Sequence, residues 1–376
     1  MNLPPFGFAT AGALRFGRGV VAEAAPYAAS RTRRVLVVRS ASVAGADELI
    51  RTLRLSGDVL ELVAKGEPDL PTIEANLTPA RAFAPDLVIA IGGGAIIDHG
   101  KALAALILAP HSALRYLEVV GEGQPLDVAP LPLVAIPTTA GTGAEVTCNA
   151  VIQVPKAKRK VSLRDPRLYP TLALVDPDLC LSCPKPVTLA SGLDAITQVI
   201  EPFICSRANP MTDALCRDAI PRSLAALRRL LDKDDRRAWD DMALSSVFGG
   251  IALANAGLGA VHGFAGVIGG QTGAAHGAIC GALLVPVLKA NMQAVPAGSQ
   301  AAARIGWVQE QISAEFGSTN DFATWNRNHG LPRLAGLGVR CEDHAALARD
   351  ARQSSSYKAN PADLDMQTLM AILDAA

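Results

Sequence analysis

The chain has 376 residues, half of them hydrophobic, enough to bury a substantial core and long enough for two domains or one large one. Its 35 Lys and Arg balance 35 Asp and Glu, so no net field attracts nucleic acid, and no dense basic run interleaved with aromatics is present. Seven cysteines, odd in number and scattered, read as reduced, mostly buried thiols rather than a disulfide framework.

The opening Met1-Asn2-Leu3-Pro4-Pro5 lacks the basic segment and apolar run of a secretory signal, and no uninterrupted apolar stretch reads as long enough to span a bilayer. The expectation is a cytoplasmic protein with no membrane partner. Val35-Leu36-Val37-Val38 and Leu87-Val88-Ile89-Ala90-Ile91 are short, nearly continuous apolar runs, the pattern of parallel strands buried on both faces. Leu131 to Ile136 and Leu172 to Val175 continue the series, with a helix predicted over Ala46 to Leu55, so the first half reads as βαβ-like. Cys180-Leu-Ser-Cys183 is the only close cysteine pair, and without further ligands nearby it reads as coincidence.

Pro177, Pro184 and Pro186 punctuate a boundary near residues 178 to 187, dividing the chain into residues 1–182 and 183–376. Beyond it, Leu and Ala recur at helical spacing through Thr188 to Ile204, Met211 to Leu231 and Trp239 to Leu253, and Leu364 to Leu373 keeps the same period near the end. The second half is therefore predicted to be mostly helical.

Two turns carry chemistry. Gly92-Gly93-Gly94 follows a predicted strand and opens a helix near Ala95, where a phosphate is able to approach backbone N–H groups at the positive end of the helix dipole. It is not the G-x-G-x-x-G fingerprint, and tight packing alone would also explain it. Pro137-Thr138-Thr139-Ala140-Gly141-Thr142-Gly143-Ala144-Glu145 likewise follows a strand and supplies three hydroxyls; helix capping is its plainer reading. In the helical half, Asp194 and Gln198 stand one turn apart on a predicted helix and share a face. His262 and His276, two of six histidines, fall in a glycine-rich stretch between helical segments. One carboxylate and two imidazoles would suit a divalent first-row metal. His99, beside the glycine turn, is open to a catalytic role but fits an exposed polar face just as well, and stays unassigned.

Gly92-Gly93-Gly94-Ala95-Ile96-Ile97-Asp98-His99-Gly100-Lys101 resembles the GGGSxxDxAK signature of the iron-containing, or group III, alcohol dehydrogenases, and Pro137 to Thr147 resembles their second signature almost letter for letter. The likeness continues through Asp176-Pro177-Asp178-Leu179, Gly192-Leu193-Asp194-Ala195, His262 to His276 and Lys358-Ala359-Asn360-Pro361. It implies an N-terminal α/β dinucleotide-binding domain and an all-helical C-terminal domain, as in dehydroquinate synthase-like folds, with the active cleft between them. It also implies NAD or NADP as cofactor, a divalent metal such as Fe2+ or Zn2+, small alcohol and aldehyde substrates, and a homodimer formed through N-terminal segments such as Leu3 to Phe8.

By matched position, the resemblance gives Gly93, Gly94 and Ala95 to the pyrophosphate, with Asp98, Thr138, Thr139, Thr142, Lys160 and Leu179 around the cofactor. Ala95 replaces the usual serine. Arg39 stands at the strand end where NAD-preferring relatives often carry an acid, and an arginine there is able to receive a 2′-phosphate or to stand simply as an exposed charge. Asp194, Gln198, His262 and His276 match the metal ligands, Asp194, His262 and His276 being the catalytic set. Gln198 replaces a histidine, which weakens the donor set, and Gly266 stands where several relatives place another histidine.

The activity expected is metal-assisted hydride transfer between a small alcohol and NAD(P), giving an aldehyde or ketone. Gln198 also suits a metal-independent reductase resembling maleylacetate reductase. A sugar-phosphate cyclase resembling dehydroquinate synthase would need a basic phosphate pocket that the sequence does not display, and a non-catalytic binding scaffold would leave the two cofactor turns without purpose.

Overall fold

The computed structural model describes residues 5–43 and 45–376. The opening residues Met1 to Pro4, on which the leader reading and part of the Leu3 to Phe8 contact reading fall, lie outside them. The chain forms two compact units: one of Thr10–Thr139 and Gly143–Cys183, the other of Ala140–Thr142, Pro184–Ala376 and the described residues up to Ala9.

The first unit carries strands β1 (Leu14–Phe16), β2 (Arg34–Ser40), β3 (Asp58–Ala64), β4 (Leu87–Gly92), β5 (Leu133–Pro137), β6 (Asn149–Val154), β7 (Arg159–Arg164) and β8 (Leu172–Val175). Between them lie helices α1 (Ala24–Ala29), α2 (Ala46–Arg54), α3 (Leu70–Phe83) and α4 (Gly94–Leu106). Six strands form a sheet in the order β1-β8-β5-β4-β2-β3, with every pair parallel. The apolar runs are continuous because both faces are covered: Leu36, Val38, Val88 and Ala90 enter one core, while Val35, Val37, Ile89 and Ile91 enter the other. This is the two-faced burial that parallel sheets require.

Four strands escape the sequence reading for physical reasons. β1 is a three-residue edge strand, and β3 at the other edge is only half-buried along most of its length, so neither shows a continuous apolar run. The antiparallel pair β6 and β7 alternates buried and half-buried positions in β6 and is rich in Lys and Arg in β7.

Helix α4 sits tightly on the sheet: a Cβ at Gly100 would come 2.5 Å from the Ala90 Cβ. It also carries the buried Lys101 and the half-buried Asp98. The Lys101 ammonium, fully buried, donates to Thr147 Oγ1 at 2.8 Å and to the Asn149 carbonyl at 3.0 Å. Asp98 Oδ2 accepts the Val151 amide N–H at 3.0 Å, so α4 is stitched to β6. Burial pushes the Asp98 carboxyl up to about 6, the buried Glu145 carboxyl up to about 7 and the Lys101 ammonium down to about 8. His99 is a correction: it is buried at 2 % exposure rather than on an open face, it lies 3.0 Å from the Asn76 amide nitrogen, and burial lowers it to about 4.

The second unit contains α5 (Lys185–Ile204), α6 (Pro210–Asp232), α7 (Ala238–Asn255), α8 (Ala260–Thr272), α9 (His276–Ala294), α10 (Gln300–Phe316), α11 (Thr319–Asn328), α12 (His344–Gln353) and α13 (Met366–Ala375). α5 is its axis, packed against α6, α7 and α9 and buried almost all round. The approach of α9 to α5 depends on glycine: a Cβ at Gly277 would stand 2.0 Å from the Ala190 carbonyl oxygen, and one at Gly281 would stand 2.5 Å from Leu193 Cδ1.

One expectation changes here. His262 and His276 do not lie between helices; His262 is inside α8 and His276 opens α9, because the glycines of that stretch serve close helix packing, Gly263 lying against Ser354 and Tyr357. Among the described residues a single helix, α9, is long and on average apolar enough to cross a membrane, with a mean hydropathy of 1.3, but 67 % of that window is buried inside the protein. Gly277, Gly281, Pro286 and Lys289 interrupt the run to the eye while leaving its average high, and the burial is that of a core helix.

Gly277→Ala forces the α5–α9 contact apart and is expected to cost about 1–3 kcal/mol or more, whereas Gly266→Ala, whose Cβ would meet nothing within 4 Å, gains up to about 1 kcal/mol of helix propensity. Urea unfolding of the two variants checks the contrast; equal effects would refute it. A second expectation concerns Glu145. Its folded carboxyl titrates above its ordinary value of 4.5, so the folded chain binds the proton more tightly; the resulting stability is complete below about 4.5 and is lost as pH rises through about 7. Glu145→Gln should therefore raise the melting temperature at about pH 8 more than at about pH 5.5, and a shift of the same size at both values would remove the assignment.

Candidate active site

The site in the helical unit is built on one face of α5. Asp194, Gln198 and Glu201 recur at helical spacing along it, all three buried within an otherwise apolar helix. Glu201 holds the start of α8. Its carboxylate accepts N–H bonds from Val261 at 2.7 Å, Gly259 at 3.0 Å and His262 at 3.3 Å, where the helix dipole favours a negative charge. Asn360, in the Lys358-Ala359-Asn360-Pro361 motif, accepts the adjacent Ala260 N–H at 3.0 Å and exchanges side-chain bonds with the buried Asn291.

Glu201 also takes the imidazole: its Oε2 lies 2.7 Å from His262 Nδ1. That contact fixes the ring so that Nε2 faces Asp194 Oδ1, 3.5 Å away. His276 Nε2 lies 3.8 Å from the same oxygen, and the two imidazole centroids are 5.4 Å apart. Ligand atoms of Asp194, His262, His276 and Cys280 all fall within 4.8 Å of one another.

The electrostatics call for a cation. Asp194 Oδ1 and His262 Nε2 are buried without a hydrogen-bond partner, a costly arrangement for polar atoms in a protein interior. Burial works against a charged His262, but the carboxylates of Asp194 and Glu201 outweigh it and lift the imidazole to about 9. Burial likewise pushes Asp194 up, and the neighbouring His276 and His262 more than compensate, holding it below the ordinary carboxylate range. Without an ion, a proton supplies the positive charge that two buried carboxylates need; a divalent cation fits the same donors.

Of the expected ligands, Asp194, His262 and His276 come together. Gln198 is buried beside them in sequence, but its amide nitrogen donates to the Thr142 carbonyl at 2.8 Å, so the side chain is tied to the segment 140–142, whose Gly141 sits against Ser191 of α5. Glu201 and Cys280 went unnoticed in the sequence. Each has a faint signal: Glu201 continues the Asp194 and Gln198 face, and Cys280 follows His276 by one helical turn. A Cβ at Gly266 would meet nothing within 4 Å, so α8 leaves open space there. Cys180 and Cys183 are not joined by a disulfide, and neither are the other five cysteines.

The residues expected at the cofactor lie mostly in the sheet unit. Gly93 is the N-cap of α4 in extended conformation, with no side chain capping the helix, so the first N–H groups of Gly94 and Ala95 are suited to a phosphate. A Cβ at Gly92 would strike Ile96 at 2.6 Å, and one at Gly93 would stand 3.3 Å from Thr139 Oγ1. The second turn is thereby brought against the first, with the Thr138 N–H on the Gly92 carbonyl at 3.0 Å. Lys160 is paired with Glu67 at 2.5 Å, and Leu179 is buried against Gly45. Thr142 belongs to the other unit. Arg39 is not an open charge: its Nε donates to Glu61 at 2.7 Å, and a terminal nitrogen lies 3.1 Å from Asp47.

Family models match both halves of the chain, iron-containing alcohol dehydrogenase over residues 11–177 and the C-terminal region of the Fe-containing alcohol dehydrogenase family over residues 188–376. The chain is 31% identical to alcohol dehydrogenase 4 of Saccharomyces cerevisiae over 400 residues, covering 100% of this chain and 97% of that protein. It is 33% identical to lactaldehyde reductase of Escherichia coli over 315 residues, covering 82% and 81%. Among solved structures, 1,3-propanediol oxidoreductase superposes with a TM-score of 0.88 at 26% identity, covering 99% of each chain. Glycine turn, threonine turn and the Asp194, His262 and His276 cluster thus occur in a chain that belongs to the iron-containing alcohol dehydrogenase family and is an oxidoreductase.

Proposed function

We propose that the protein catalyses reversible hydride transfer between a small alcohol and NAD(P), with a divalent metal held by Asp194, His262 and His276. The observation that carries this is the pair of buried, unpartnered atoms, Asp194 Oδ1 and His262 Nε2, facing each other at 3.5 Å beside His276. When bound, the nicotinamide supplies the hydride acceptor or donor, and a divalent ion supplies a Lewis acid for the substrate oxygen. Glu201 orients His262 by its Nδ1 contact, the second-shell role that fixes tautomer and ring direction. The uncapped start of α4 offers backbone donors to the pyrophosphate. Gly266 brings no imidazole near the substrate, so a proton leaving the alcohol passes to solvent or to another group.

Gln198, tied through its nitrogen to Thr142, favours a second reading, a metal-independent reductase. NADH oxidation with a panel of small aldehydes separates the two: activity that needs added Fe2+ or Zn2+, is lost on chelation and falls at least about a hundredfold in Asp194→Ala supports the first. Full activity after exhaustive chelation supports the second, and no activity with any aldehyde opposes both.

The reading includes a preference for NAD. Arg39 is already paired with two carboxylates, so a 2′-phosphate would have to compete with them for it. Fluorescence titration should show tighter binding of NADH than NADPH, and Glu61→Gln should narrow the gap; tighter NADPH binding by the unaltered protein would refute it. A cytoplasmic homodimer completes the proposal, supported by seven cysteines that form no disulfide and by Phe6 and Phe8, exposed near the N-terminus.

A further inference from the structure

We infer that Cys280 is a metal ligand of this site, its thiolate taking the place that Gln198 leaves weak, and that it turns the donor set toward zinc. The inference rests on the metal-assisted reading above.

Four observations support it. Cys280 lies one turn beyond His276 on α9, fully buried, with its sulfur within 4.8 Å of the ligand atoms of Asp194, His262 and His276. Its position is enforced from both sides, since Gly277 and Gly281 have no room for a Cβ against Ala190 and Leu193. The backbone on either side of Cys280 therefore cannot retreat from α5 without losing that packing. The spacing suits coordination: ligand atoms on a tetrahedral ion at the usual Zn–N and Zn–S lengths are about 3.3–3.8 Å apart, against 3.5 and 3.8 Å for the two imidazole contacts with Asp194. Finally, the competing donor is a neutral amide whose nitrogen is already committed to Thr142, and a neutral carbonyl is a poorer partner for a first-row ion than an anionic thiolate.

Coordination requires the thiol to lose its proton: the S–H bond breaks, the proton leaves to solvent, and the sulfur lone pair forms the bond to the ion, with no change of oxidation state. A thiolate beside two imidazoles and a carboxylate is a softer set than carboxylate and imidazole alone. Such a set favours zinc, or cobalt in its place, over ions that prefer oxygen.

The test is titration of the full-length, metal-free protein with Co2+ under argon, read by absorption. A sulfur-to-cobalt charge-transfer band in the near ultraviolet, appearing with one equivalent, lost in Cys280→Ser and kept in Gln198→Ala, is the expected result. Cobalt affinity in Cys280→Ser should fall at least roughly tenfold. Stoichiometric cobalt without that band, or a band that persists in Cys280→Ser, overturns the role of Cys280 while leaving the metal site in place. Failure of the unaltered protein to bind cobalt or zinc overturns both readings. If the serine variant does not fold, X-ray absorption at the zinc edge of the unaltered protein decides the matter: one sulfur at about 2.3 Å supports the assignment, and a shell of nitrogen and oxygen alone at about 2.0–2.2 Å refutes it.

Discussion

The helical half turns on one close contact, the seating of α9 on α5 where Gly277 meets the carbonyl of Ala190 with no room for a Cβ. Three of the four clustered ligand residues stand beside it. His276 precedes Gly277, Cys280 precedes Gly281, and Asp194 lies across the same seam, its Cβ 3.0 Å from where a Cβ on Gly277 would be. Two apolar helices approach this closely only when small residues line the contact, and that approach brings an imidazole and a thiol within reach of a buried carboxylate.

A buried carboxylate in an apolar helix is costly unless it is met by donors or by a positive charge. α5 solves this in two ways. Glu201 is satisfied by backbone N–H groups at the start of α8 and by His262, so it serves at once as cap and as orienting group. Asp194 is left with an oxygen that no donor meets, and its neighbours are two imidazoles and a thiol. The difference between the two carboxylates is the difference between a structural group and a site. The sheet unit offers the contrasting case, where the buried Lys101 and the half-buried Asp98 are satisfied by Thr147, Asn149 and Val151, and they hold α4 on the hairpin.

Two substitutions set this chain apart from the pattern its motifs resemble, and the structure gives each a surrounding. Gln198 keeps a polar group on the α5 face but turns its nitrogen to the Thr142 carbonyl, which anchors the segment 140–142. Gly266 leaves open space on α8. Arg39, in turn, is balanced by Glu61 from the neighbouring strand β3, so its charge is shared within the sheet edge.

The buried strands β2, β4, β5 and β8 and the helices α2, α5, α6, α7 and α13 were legible because burial on both faces, or along a stripe, leaves a periodic trace in the residues themselves. The glycine and threonine turns were legible because a backbone that must approach a phosphate, or another turn, tolerates few residue types. Edge strands such as β3 and the hairpin of β6 and β7 left weaker traces, since half their surface faces outward. The sequence could also offer Asp194, His262 and His276, whose residue types and order matched a known pattern. Tertiary structure alone decided that Glu201 aims His262, that Arg39 is already paired, that His99 is buried, and that Cys280 joins the cluster. Each of these depends on a neighbour brought close by helix or strand packing from a distant part of the chain, and no local period encodes which distant side chain will fill the space beside a given one.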